Sequence, residues 1–137
     1  MFTKRTRLAD HHPAVAAALA AVLPGQRAGA VRSVTADVAR TCGVVDLCEA
    51  AADPDQLVAE LDAAAAQARD DEEHGRPPAV ATSSDEAFRR ARAADAWRTA
   101  ATATTDAALA DALYEAVHAL GADTPAETHV IDSLPTP

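Results

Sequence analysis

The stretch Asp53-Pro54-Asp55-Gln56-Leu57-Val58-Ala59-Glu60-Leu61, continuing to Glu73, is written as a helix. Asp53 can accept from the free amides of a first turn, Pro54 suits that turn, and Gln56 stands where a capping box places its polar residue. Leu57, Leu61, Ala64, Ala65 and Ala68 recur at three- and four-residue steps and share one face. That face must be covered, and the rest of the chain reads as helices able to cover it.

The material for a core is thin. Alanine fills 38 of 137 positions, whereas Val, Leu, Ile and Phe together fill 24, and the net charge is −9. Such a balance approaches that of disordered chains. Alanine is the best helix former and loses no side-chain entropy on burial. The expectation is therefore an all-α, single-domain bundle of four to five Ala-rich helices. Because alanine buries little area, at roughly 25 cal/mol per Å², a second copy or another partner is expected to complete the core, most simply as a homodimer.

Five helices follow from the periodicity. The first spans about residues 13–23, with the stripe Val15, Leu19 and Val22, and ends at Pro24-Gly25. The second begins near Gln26 with Val31, Val34, Val38 and Cys42, and Gly43 leaves two forms open: one helix to Ala51, or a break with a short helix over 44–51. The third is the opening stretch. The fourth begins at Ser83 or Ser84, with Asp85–Arg89 and Glu86–Arg90 as i, i+4 pairs. Its Phe88 and Trp97 stand on opposite sides of a straight helix. The fifth is capped by Thr104 or Thr105, carries Leu109, Leu113, Ala116 and Leu120, and stops at Gly121. Residues 1–10 read as a polar leader, ordered only where Phe2 or Leu8 packs. The bundle is placed at 1–121 and a Pro-containing tail at 122–137, with extended character over 129–134.

Charge is unevenly spread. Residues 41–75 hold ten acids against one Arg, and residues 1–40 hold six Lys or Arg against two Asp. An acidic chain is a poor nucleic-acid binder. The apolar run Ala14–Leu23 is too short to cross a membrane and does not have the form of a signal peptide. Cys42 and Cys48 match no zinc or redox spacing and read as packed, reduced thiols, which places the chain in the cytoplasm.

No motif of nucleophilic catalysis or phosphate binding occurs, and no cofactor is predicted. Asp70, Asp71, Glu72 and Glu73 sit where the helix dipole is already negative. They are expected to fray beyond Arg69 into a solvated loop, or to serve a basic protein partner. Trp97 is the aromatic candidate for that surface, or for a small-molecule pocket. On the fifth helix Glu115-x-x-His118, with Asp111 one turn earlier, has the spacing of one half of a di-iron bundle site, which a dimer would double. This face turns away from Leu109 and Leu113, so it reads first as a solvated polar face. Asp10-His11-His12 and His74 are weaker metal candidates, and Tyr114 stands one turn from His118. The function expected is a small non-catalytic interaction or accessory protein, regulatory or immunity-type. A metal-binding or di-iron-like bundle enzyme using Glu115 and His118, or a small-molecule binder, is the alternative.

Overall fold

Asp53 accepts from the amides of Asp55 and Gln56 at 3.1 and 3.2 Å, as its position predicts. Gln56 turns forward to Glu60 at 3.1 Å instead of back to its cap. A computed structural model describes residues 6–77 and 82–136. Among them the chain forms α1 (Arg7–His11), α2 (Pro13–Ala21), a 3₁₀ turn (Pro24–Gln26), α3 (Arg27–Thr41), α4 (Val45–Ala50), α5 (Pro54–Glu73), α6 (Ser84–Thr102), α7 (Asp106–Ala119) and α8 (Thr124–Ser133). The described residues contain no strand, and the fold is all-α.

Eight helices replace the expected four to five, for three local reasons. Gly43 takes φ +73°, and the amides of Gly43 and Val44 return to the carbonyls of Arg40 and Ala39. This left-handed stop ends α3 and separates α4 from it. At the amino end, Thr6 accepts from the Ala9 amide and starts α1, which buries Leu8; Phe2 lies outside the described residues. At the carboxyl end, Asp123 accepts from Ala126 at 2.9 Å and opens α8. The supposed tail is thus a helix over its middle, and its extended character is corrected. Ala126, Val130 and Leu134 are buried, and α8 packs on α2 and α7. Alternating apolar residues over 129–134 lost to a good cap and a Pro at the first turn.

The centre is not α5. α6 and α7 pack along their lengths, with α3 across both, while α1, α2 and α8 cover the remaining side of α7. α7 buries Leu109, Ala110, Ala112, Leu113, Ala116, Val117 and Ala119. The buried residues of α6 are all alanine, which lets its neighbours approach closely. α5 lies against α6 at the edge, with only Val58 and Asp71 fully covered, and Ala64 of its expected inner stripe is exposed. Trp97 is half-buried against the core, whereas Phe88 is 45% exposed.

One cation holds the amino-terminal corner. α2 and the segment from Pro24 to Thr41 meet at 105°. Arg27 donates to the carbonyls of Val22 and Ala20, at 2.9 and 2.8 Å, and pairs with Asp106 at 2.9 Å. It thereby satisfies carbonyls at the end of α2 and joins them to the first turn of α7. No single helix among the described residues is long and apolar enough to cross a membrane.

Candidate functional site

The acidic end of α5 does not fray. Gly75, at φ +64°, folds the chain back so that the Arg76 amide donates to the Asp71 carbonyl at 2.8 Å. The Arg76 guanidinium then donates to Asp71 at 3.1 Å and pairs with Asp70. Asp71 is buried and also accepts from Gln67 at 2.9 Å. These two hydrogen bonds, Arg76 first, hold its carboxyl below the ordinary carboxylate value. Glu72 accepts from the Ser84 hydroxyl and from the Ser84 amide at 2.8 Å, both of which hold it low. It thus ties the end of α5 to the start of α6. The expected fraying beyond Arg69 is corrected: a basic residue just past the helix end offsets the repulsion of these acids.

The four acids therefore separate into two pairs. Asp71 and Glu72 are turned into the fold, and Asp70, although it lines the surface, is paired with Arg76 and His74. Asp70 and Glu73 line an open groove of about 720 Å³ between α5 and α6. Asp62 and Asp85 join them, Arg69 is the one cation among the lining residues, and Phe88 with Ala65 and Ala66 supplies the apolar surface. Trp97 is not part of this groove and packs on the core instead.

The second polar region surrounds α7. The side chain of Glu115 is only 8% exposed. It accepts from Arg92 at 2.9 Å, and Arg7 stands 3.5 Å away on its other oxygen. Arg92, 17% exposed, also binds Asp95 at 3.1 Å and pairs with Asp62, while Asp95 in turn holds Arg98. Burial pushes the Glu115 carboxyl above its ordinary range, and the Arg92 and Arg7 charges offset this only in part. The solvated face expected for Glu115 is corrected, because α6 and α1 deliver guanidinium groups to it. Asp111 remains half-exposed, 3.7 Å from Arg7.

His118 stands one turn further along. Its ring stacks on Tyr114 with centroids 4.3 Å apart, and its Nε2 lies 3.3 Å from Nε2 of buried His12. Burial, followed by the neighbouring His12, His11 and Arg7 charges, holds its pKa below the ordinary value. The expected trio of Asp111, Glu115 and His118 does not converge on one point, since Glu115 is directed to the two arginines. Among the described residues, no three His, Cys, Asp or Glu side chains gather to hold an ion. His74 lies apart, on Asp70.

Both thiols are packed. Cys42 points to the Ala119 carbonyl at 3.6 Å and is pushed up by burial; Cys48 is pushed up to about 11, by burial and then by Glu49. Neither is a ready thiolate nucleophile near neutral pH. Residues that sequence reasoning missed are Arg92 and Arg76; His12 is a weaker metal candidate of the sequence, with Asp10 and His11, but is not marked there as the partner of His118. A basic residue directly after a Gly stop is a legible sign for Arg76; Glu115 and Asp62, which hold Arg92, and His118, which meets His12, come from distant helices and leave no local sign. Comparison of the chain with models of protein families, with curated proteins and with solved structures finds no match in any of the three.

Proposed function

We propose that this chain is a small non-catalytic interaction module that receives a basic segment of a protein partner along the α5–α6 groove. The observation that carries this reading is the groove's lining, four carboxylates and one guanidinium around an exposed Phe88. Such a surface suits a helix or strand bearing Lys or Arg beside one apolar side chain. The acids already have partners on the same surface: Asp85 lies 3.2 Å from Arg89, and Glu73 lies 3.7 Å from Arg69. Exposed pairs of this kind are worth about 0–1 kcal/mol. An incoming cation can replace these two at little cost, whereas Asp62 and Asp70 also hold Arg92 and Arg76 and the buried Asp71–Arg76 contact stays within the fold.

The test uses a fluorescent basic amphipathic peptide and the tag-free protein, titrated at several salt concentrations. The triple change Asp70→Asn, Glu73→Gln, Asp85→Asn is expected to weaken binding about tenfold or more and to flatten its salt dependence. Phe88→Ser is expected to weaken binding without changing the salt slope. Asp46→Asn with Glu49→Gln removes charge outside the groove and serves as the control. Equal losses from the control, or unchanged binding by the triple variant, would remove the groove from the interface. Light scattering on the same samples decides whether a second copy occupies it: a dimer abolished by Phe88→Ser replaces the basic partner with this chain itself.

A further inference from the structure

His12 and His118 meet in a way that the α5–α6 groove does not involve. His12 sits at the joint of α1 and α2, His118 near the end of α7, and Glu127 in the first turn of α8. The two Nε2 atoms are 3.3 Å apart, with ring planes at 73°. The His12 side chain is 7% exposed, and its Nδ1 lies 3.2 Å from a Glu127 oxygen. That contact is within ion-pair range but is not aligned as a hydrogen bond, and Nδ1 has no hydrogen-bond partner. Two imidazole nitrogens at this distance share either one proton or one ion.

We propose that His12 and His118 form a two-histidine site for a borderline divalent transition-metal ion such as Zn²⁺, with Glu127 as the carboxylate behind His12. The separation fits. Ligand nitrogens about 2.0–2.1 Å from a tetrahedral ion stand about 3.3–3.4 Å from each other. The observed 3.3 Å matches that spacing. With its proton on Nδ1, towards Glu127 3.2 Å away, His12 leaves its Nε2 lone pair free, and a small turn of the carboxylate completes the contact that orients a metal-bound histidine. His118 is the accessible member of the pair, because its side chain is only half-buried. Burial favours its neutral form, the form that binds metal.

The charges around the pair also permit a cation. Arg7 faces Glu115 and Asp111, and Arg92 faces Glu115, Asp95 and Asp62, so each guanidinium is matched by carboxylates. His11 and Tyr114 stand beside the pair, with ring centroids 6.0 Å apart. Among the described residues no third side chain completes a ligand set, so water takes the remaining positions and the ion exchanges with solvent. Imidazole ligands select zinc, nickel or copper over magnesium and calcium, which take oxygen.

Zinc chloride added to the tag-free protein at a hundredfold excess over its Kd is expected to raise Tm on the order of 5–10 °C. One ion binds per chain by calorimetry, and magnesium produces no shift. His118→Gln abolishes the response, Glu127→Gln weakens zinc binding about 10–100-fold, and His74→Gln with His129→Gln leaves it intact. Should His118→Gln unfold, proton NMR of the unmodified chain gives the same answer. One equivalent of zinc should move the ring signals of His12 and His118 and leave those of His74 and His129 in place. Absence of a zinc response, or a response that survives loss of His118, overturns the site and leaves a neutral imidazole hydrogen bond.

Discussion

α5 and α7 have nearly the same signature in sequence: a side-chain cap, two leucines four residues apart, alanines continuing the stripe, and a glycine stop. Their fates differ. α7 is packed by helices on several sides and buries even a glutamate, while α5 lies mainly against α6 and turns most of its surface to solvent. A periodic stripe shows that a helix has an inner face; it does not show how many other helices will lean on it. The number of neighbours is set by the chain's connections. Among the described residues α7 is approached by α1, α2, α3, α6 and α8, whereas α5 packs mainly on α6, with a smaller contact to the short α4.

The contrast is largest in the leucines. Leu113 is fully buried and Leu61 only partly so. Leu113→Ala is expected to cost about 2–5 kcal/mol in urea unfolding, and Leu61→Ala less than half of that. Equal costs would show that α5 is as central as α7.

The carboxylates come next. Glu115→Ala leaves Arg92 short of one buried partner while Asp62 and Asp95 remain, so a loss of about 1–3 kcal/mol is expected. Glu73→Ala on α5 should leave the urea midpoint where it was. A smaller effect follows from the turn that closes α5. Gly75→Ala meets no atom within 4 Å but must hold φ +64°, and a loss of about 1 kcal/mol is expected. Gly25→Ala, in open space without that backbone requirement, is the comparison.

The smallest effect is on pH, where the two helices differ in sign. Asp71 and Glu72 are held below ordinary values of 3.8 and 4.5. Their contribution is complete above those values and is lost as pH falls through the lower folded ones. Glu115 is raised above 4.5, so its contribution is present below that value and is lost as pH rises through its folded pKa. Urea midpoints from pH 3 to 7 should therefore fall less steeply on the acid side for Asp71→Asn. For Glu115→Gln they should rise more, or fall less, between pH 4.5 and 7. The same response in both variants would mean that one of the two carboxylates is not where its helix places it.

Much of the local structure was legible in the chain because it depends on near neighbours. Asp53, Ser83 and Thr105 all cap, Gly121 stops α7, and the Asp85–Arg89 pair forms. What was illegible depends on distant residues. Alanine marks neither face of a helix clearly, so the two-sided burial of α6 and α7 left a weak pattern. Arg92 reaches Glu115 across 23 positions, and His12 reaches His118 across 106. The candidate site suffered most: three of the four acids proposed for a partner are engaged within the chain, by a serine and an arginine beyond the helix end.

The inner surface of α6 has a consequence for how this chain can change over generations. Ala91, Ala93, Ala94, Ala96 and Ala100 are each at most 2% exposed. Alanine is already the smallest side chain that keeps a helix stable, so every replacement there either enlarges the side chain or loosens the backbone. Drift at these five positions has no mild direction. Substitution at these alanines should be tolerated worse than at the exposed charged positions that first attract notice.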